Sequence, residues 1–384
     1  MSRLDDLVRE HCPRGVELRP VKDAVSVVPT ARGIKREDYG QGSLIPIVDQ
    51  GQSQIAGHTD DRAASLPIDE YIVFGDHTRA VKWVDFAFAP GADGTKVLRP
   101  ADDLVPRFAF FALANLEIPS RGYNRHWTVL RELLIPVPPL EVQEEIFRIL
   151  DTFTELEAEL EAELEARTTQ YEETLNSLLS LDGDLTGHPL SELIRELCPE
   201  GVEYSRLANH VPILDNLRKP VTRSSRVPGP YPYYGANGVQ DWVDEWIFDG
   251  TFLLIGEDGS VLKPDGSPIV HWAEGKIWVN NHAHVLGSGS DELSLRFLYY
   301  FLQTANLSAF VSGGSRVKLT QGALREIPIP VPHLQVQEEI VRILDSFDAL
   351  VSDISIGLPA EIAARRKQYE YYRDKLLSFE ELAS

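Results

Sequence analysis

The sequence predicts an α+β chain in which two α/β domains alternate with two long helices forming an antiparallel coiled coil, and three observations carry that prediction. Residues 130–153, LRELLIPVPPLEVQEEIFRILDTF, return at 324–347 as LREIPIPVPHLQVQEEIVRILDSF, at a constant offset of 194, without gaps and with about three quarters of the positions identical. A shorter repeat joins Leu4–Glu17, LDDLVREHCPRGVE, to Leu190–Glu203, LSELIRELCPEGVE. After each copy of the longer repeat, apolar residues step by three or four, the spacing of a coiled-coil seam. One module is used twice, so the function calls for two similar units.

The elements follow in order. Residues 1–17 form a short amphipathic helix with Leu4, Leu7 and Val8 on one face, ended by His11-Cys12-Pro13 and Gly15. Residues 18–135 form the first α/β domain: strand-like runs at 43–49 (SLIPIVD) and 70–75 (EYIVFG), a GADG turn at 91–94, and a helical patch at 107–115 (RFAFFALAN). A first helical region covers 136–185, and 186–203 repeats the short N-terminal helix. The second α/β domain, 204–329, keeps the same order of parts, with PYPYYG (230–235), TFLLIG (251–256), GKIWVNNHAHVLG (275–287) and RFLYYFLQTAN (296–306). A second helical region, 330–384, closes the chain.

Proline turns precede both long helices, and Glu141, Glu144 and Glu145 load the first turns of the earlier one, where carboxylates favour the helix dipole. The first seam runs Ile146, Ile149, Phe153, Leu156, Leu160, Leu164, Tyr171, Leu175, Leu178; the second runs Ile340, Ile343, Phe347, Leu350, Ile354, Ile362, Tyr369, Leu376. Gly357-Leu358-Pro359 interrupts the second, and the offset grows from 194 to 198 between Tyr171 and Tyr369. A kink or break is expected there. A seam of roughly 38 residues rising ~1.5 Å each makes a rod of about 57 Å.

Composition sets limits on function. A chain of 384 residues with 43% hydrophobic and 25% charged side chains has the make-up of a soluble globular protein of two or three domains. No apolar run reaches the roughly 18 residues of a membrane span, and MSRLDDLVRE is no signal core; a cytoplasmic protein is expected. Cys12 and Cys198 hold equivalent repeat positions, which duplication explains better than a disulfide or a metal site. The net charge of −22 argues against nucleic acid only if spread evenly. It is not: 136–203 holds 18 acidic against 3 basic residues, whereas 18–135 has 15 against 14 and 204–329 has 12 against 11. The acidic run ELEAELEAELEAR (155–167) reads as a solvated helix face, with a basic partner subunit as the other reading.

Catalytic signatures are missing. There is no G-x-x-x-x-G-K-[ST] loop, no Asn-Pro-Pro-aromatic tetrapeptide and no glycine-rich cofactor loop after a strand. Asp265, Glu274 and Lys276 have the order of a Mg²⁺-dependent PD-(D/E)xK nuclease, but Asp265 sits in KPDGSP, a string of turn formers. His282 and His284 alternate as on a strand; with no third ligand in evident spacing, a hydrogen-bonded histidine is expected rather than zinc.

The order of variable domain, IPVPPLEVQEEI, long helix, second variable domain, IPVPHLQVQEEI and a final helix with ARRKQYEYYRDKLLSF (364–379) resembles the specificity subunit of type I restriction-modification systems over essentially the whole chain. The resemblance implies two target recognition domains that read the halves of a split double-stranded DNA sequence, and conserved helices that set the spacer. It implies a non-catalytic subunit docking two methyltransferase (M) subunits and restriction/motor (R) subunits, with no cofactor in this chain; S-adenosylmethionine, ATP and Mg²⁺ belong to the partners. Such domains read DNA through loops. The candidate contacts are therefore Arg32, Lys35, Arg36, Gln50, Gln52, Thr78, Arg79, Lys82, Asn124 and Arg125 in the first domain, with Thr78, Arg79 and Lys82 from the turn FGDHTR and its flank. In the second they are Arg218, Lys219, Arg223 and Arg226, in the basic loop before PYPYYG, with Asn237, Asn280, Asn281, Arg316 and Lys318. Arg and Lys suit phosphate or guanine, Asn and Gln adenine. Ile146, Phe153, Leu156, Leu160, Tyr171, Ile340, Phe347, Leu350, Tyr369 and Leu376 mark the helices expected to meet partners. The rivals are the nuclease above and a coiled-coil scaffold that does not bind DNA.

Overall fold

The computed structural model describes residues 3–382 apart from 31, 41, 121, 123, 182–188, 260, 314–316 and 352–356. It divides into two compact units, Met1–Glu161 with Glu361–Ser384, and Ala162–Ala360.

In the first unit, a four-stranded antiparallel sheet runs in the order Val25–Val27, Thr95–Pro100, Tyr71–Gly75, Val81–Val84. Ile72, Phe74 and Leu98 on the sheet are fully buried, and helix Pro106–Ala114 buries Phe108, Phe111 and Leu113 in the same core. That helix is apolar enough to be covered nearly all round, and Pro106 at its first position starts it. A smaller sheet of Gly57–Thr59, Ile45–Val48 and Ala89–Pro90 stands beside the first. Strand Glu17–Pro20 pairs antiparallel with Leu134–Val137 and leads into the long helix. Helix Arg3–His11 adds Leu4 to the core shared with Leu377 of the C-terminal segment.

The second unit repeats the plan with a larger sheet. Five strands run Gly238–Val243, Pro228–Gly235, Val270–Val279, Phe248–Gly256, Ala283–Gly287. Helix Leu295–Thr304, capped by the Ser294 hydroxyl, buries Phe297, Leu298, Tyr300 and Leu302. Tyr204–Arg206 pairs with Pro328–Pro330 as Glu17–Pro20 does in the first unit. Helix Pro189–Leu197 packs Leu190 and Ile194 into the core that holds Leu175 and Leu178.

Leu140–Ser180 is one helix of 41 residues. Its counterpart is interrupted at Gly357, a bend, as the sequence predicts: helix Leu334–Val351 lies before the undescribed residues 352–356, and Leu358–Leu376 starts after Gly357 with Pro359 in its first turn. Ile354 lies outside the described residues. Within the first unit, Phe153 packs on Tyr369 at 6.4 Å and stacks on Tyr372, while Arg366 bonds Glu157 and Glu161. Later residues of one helix thus meet earlier residues of the other, which is antiparallel pairing. In the second unit, Tyr171 meets Phe347, also at 6.4 Å. Phe153 and Phe347 are repeat equivalents, as are Tyr171 and Tyr369, so each unit makes the same contact with the roles of the two copies exchanged.

Buried side chains hold each helix start. Gln143 accepts from the Val105 amide and donates to the Asp103 and Pro138 carbonyls; Gln337 accepts from the Ser294 amide and donates to the Glu292 and Pro332 carbonyls. Arg107 pairs with Asp151 and lies over Trp83, Phe110 and Phe111, and Arg296 pairs with Asp345 over Trp272, Tyr299 and Tyr300. The seam reading needs one correction. Ile146 and Ile340 are fully buried in their own units' cores, so partner docking cannot use them; among the described seam positions, Leu156 and Leu350 are left exposed.

Candidate nucleic-acid interface

In the first unit, five loops far apart in sequence meet at one rim. The Thr78 hydroxyl donates to the Gln50 carbonyl, and the Gln50 side chain accepts from the His77 amide. The Asp76 amide donates to the Gly94 carbonyl, and the His126 amide donates to that of Asp76. Ile34 exchanges backbone bonds with Pro90 and Ala92, and the Tyr39 hydroxyl donates to Asp49 at 3.3 Å. Gly94 has a φ of +87°, which strains other residues, and a Cβ there would sit 2.7 Å from Gln50 Oε1 and push that side chain off the His77 amide. Arg32, Lys35, Arg36, Gln52, Arg79, Asn124 and Arg125 are exposed on or beside these loops.

Two candidates of this unit turn inward. Lys82 is 5% exposed, and its ammonium donates to the Asp49 and Ser53 carbonyls at 2.8 and 2.6 Å. Burial pushes its pKa down against the pull of Asp49. Its role is to tie the 49–53 loop to the sheet, so it is withdrawn from DNA. Thr78 is spent on the same loop. Arg79 stands at a φ of 65° in the turn after Tyr71–Gly75 and donates to the Ile118 carbonyl.

The second unit builds a similar rim from other parts. The Glu257 amide donates to the His282 carbonyl, the Leu319 amide to that of Glu257, and the Asn280 amide to that of Tyr234. Asp258–Gly259 pairs with Val317–Lys318. The described part of the IGEDGS stretch, residues 255–259, is not a tight hairpin: its sheet strand ends at Gly256, Asp258–Gly259 pairs elsewhere, and the next strand of that sheet begins at Val270. Asn237, in the turn between Pro228–Gly235 and Gly238–Val243, is exposed, as are Asn281, Lys219, Arg223 and Lys318. Arg316 lies outside the described residues.

Arg218, Arg226 and Asn280 are structural instead. Arg218 bonds Glu257 at 2.7 Å and the carbonyls of Asp215 and Ala283. Arg226 lies 4.0 Å over the Tyr233 ring and pairs with Asp241. Asn280 is 3% exposed, accepts from the His282 amide and donates to Gln240. These side chains look like free polar groups in sequence because their partners arrive from other strands.

Beneath this rim, His284 is fully buried, with one ring nitrogen 2.6 Å from Asp215 and the other 2.8 Å from the Leu319 carbonyl. Burial pushes the Asp215 carboxyl up, but His284, the Val285 amide and Arg218 outweigh it and hold the carboxyl below its ordinary range. Asp215, Glu257 and His284 lie within 4.8 Å of one another, a cluster that sequence spacing did not reveal. Its charge is already balanced, because Arg218 bridges Asp215 and Glu257 and Lys318 reaches Glu257 at 3.2 Å. The cluster therefore reads as an ionic clamp joining the 215–218 turn, the sheet and strand Val317–Leu319. His282, in the turn rather than the strand, pairs with Asp258.

The nuclease-like triplet is accounted for locally. Asp265 accepts from the amide and hydroxyl of Ser267, closing a turn; Glu274 accepts from the Trp272 indole; Lys276 lies 3.8 Å over Trp246. No helix among the described residues is long and apolar enough to cross a membrane.

Comparison with known proteins fits this arrangement. The family model described as type I restriction modification DNA specificity domain matches residues 15–166 and again 199–364. The EcoR124I/EcoR124II specificity subunit of Escherichia coli is 31% identical over 386 residues, covering 91% of each chain. A putative type I restriction enzyme specificity subunit of Haemophilus influenzae is 47% identical over 185 residues, a match spanning 47% of either chain. The fold is similar to that of the S subunit of a type I system from M. genitalium, with a TM-score of 0.63 at 19% identity and coverage of 94% of this chain and 96% of that one.

Proposed function

The chain belongs to the type I restriction-modification DNA specificity family, and from that premise we propose that its two units read the two halves of an interrupted double-stranded DNA target. It is a recognition subunit and not itself an enzyme. The observation that carries the reading is the loop rim found in each unit: turns distant in sequence are locked together by backbone bonds and present Arg, Lys, Asn and Gln side chains on a rigid frame. Arginine and lysine supply phosphate attraction and the grip on guanine, while exposed Gln52, Asn237 and Asn281 suit adenine edges.

In this reading the chain acts in the cytoplasm with methyltransferase and restriction subunits. S-adenosylmethionine, ATP and Mg²⁺ are bound by those partners, and this chain fixes where they act. The exposed seam residues Leu156 and Leu350, with Tyr371, Tyr372, Leu140 and Leu334, are among the apolar positions open to such partners.

The test is to map adenine methylation in a methylation-free host expressing the cognate methyltransferase with and without this chain. A split motif that appears only with the chain supports the reading. Methylation at the same sites in its absence, or at a single continuous short motif in its presence, refutes it.

A further inference from the structure

The two units share a frame, so a side chain present in one and missing from the other shows where an interaction was lost. In the first unit, Arg19 on strand Glu17–Pro20 lies between two carboxylates. It donates to Glu17 at 2.7 and 2.9 Å and to Asp103 at 3.0 and 2.8 Å. Its own side chain is 17% exposed, and its hydrogen bonds hold both carboxyls below their ordinary range.

The second unit retains the carboxylates and lacks the arginine. Glu203 corresponds to Glu17 in the shorter repeat. Glu292 corresponds to Asp103, because Gln337 bonds the Glu292 carbonyl as Gln143 bonds that of Asp103. Ser205 stands opposite Ile329, just as Arg19 stands opposite the equivalent Ile135. The neighbouring Arg206 does not substitute, since it pairs with Glu326.

What remains is a cavity of about 410 Å³, lined by Glu203, Ser205, His210, Asp291, Glu292 and the Val331–Leu334 turn, with no lysine or arginine in its wall. His210 lines it. Its side chain is 10% exposed and its Nδ1, 3.8 Å from the Glu292 carboxylate, has no hydrogen-bond partner. A buried ring nitrogen without a partner costs free energy that an incoming donor recovers.

We propose that this cavity receives an arginine side chain from a partner polypeptide, its guanidinium taking between Glu203 and Glu292 the place that Arg19 takes between Glu17 and Asp103. The planar group carries five donors, enough to bond both carboxylates in forked fashion and still donate to His210 Nδ1. An ammonium is a point charge and cannot span the two carboxylates in that way. The occupant is a side chain from outside because the cavity opens to solvent at Glu292, which is 76% exposed.

The test uses the full chain, with His210 and His333 followed by ring-proton NMR. The probes are the capped tripeptides acetyl-Gly-Arg-Gly-amide and acetyl-Gly-Lys-Gly-amide at equal ionic strength. The arginine peptide should shift the His210 signal saturably and the lysine peptide several-fold more weakly. Ser205→Arg should abolish the response by supplying the guanidinium internally. Should that variant not fold, Glu203→Gln must weaken the arginine peptide's affinity instead. No saturable shift, equal shifts from both peptides, or a response that persists in a folded Ser205→Arg chain overturns the proposal. Neither DNA nor methylation enters the measurement, so its failure leaves the recognition reading standing.

Discussion

Gln337→Leu is expected to destabilise the second unit severely, although the substitution is close to isosteric and adds apolar surface. Gln337 is fully buried, and its amide satisfies the Ser294 N–H and the carbonyls of Glu292 and Pro332 at 2.7–2.8 Å. Leucine can bond none of them. Each buried polar group left without a partner costs about 1–3 kcal/mol. The Ser294 amide and the Pro332 carbonyl lie deepest, so a loss of about 3 kcal/mol follows. For a unit of this size that lowers the midpoint by roughly 6–12 °C. The assay is thermal and urea unfolding of the full chain, with Gln335→Leu as control; Gln335 lies on the exposed side of the same helix turn, and a change there should stay within about 0.5 kcal/mol. A Gln337→Leu chain no less stable than the control would show that the helix start is held by packing alone and refute the argument.

Lys82→Ala and Arg125→Ala should separate two roles that the sequence assigned alike. Lys82 anchors the 49–53 loop from inside, so its loss should lower the unfolding midpoint; Arg125, 73% exposed and 4.0 Å from the buried Asp76 carboxylate, should lower it far less while weakening DNA binding of the assembled complex and reducing its salt slope by about one unit if it meets a phosphate. An unchanged midpoint in Lys82→Ala would contradict the burial argument. Acid should expose the Arg19 clamp. Glu17 and Asp103 are held below their ordinary values of 4.5 and 3.8 by Arg19, so the stability they contribute is present above those values and lost as the pH falls through the lower folded values. The stability gap between the native chain and Arg19→Ser should therefore be constant near neutrality and shrink below about pH 4; a gap unchanged down to pH 2 would place the effect in packing.

Much of the frame was legible in the sequence because duplication supplied an internal control. The paired proline turns gave both helix starts, and Gly357-Leu358-Pro359 gave the break in the second helix. The seam was less legible near the domains. Ile146 and Ile340 follow the same three-and-four spacing as Phe153 and Phe347, yet they face their own unit's core, because periodicity identifies an apolar face without saying what covers it. The site was legible as a set of loops and not as a set of side chains. Arg32, Lys35 and Arg125 remain exposed, whereas Lys82, Arg218 and Arg226 are claimed by Asp49, Glu257 and Asp241. Those partners come from 15 to 39 residues away, and no local pattern couples them.

A cation that one copy holds and the other lacks is informative only when its counter-charges survive the loss. At Arg19 and Ser205 they do survive, since Glu203 and Glu292 keep the places of Glu17 and Asp103 around an unpartnered His210 nitrogen. Glu203 and Glu292 both line the cavity, whose wall holds no lysine or arginine. Carboxylates in both places therefore point to a cation that arrives from elsewhere. By contrast, Arg107 and Arg296 are matched by Asp151 and Asp345 in their respective units, so neither pair has anything left to offer a partner.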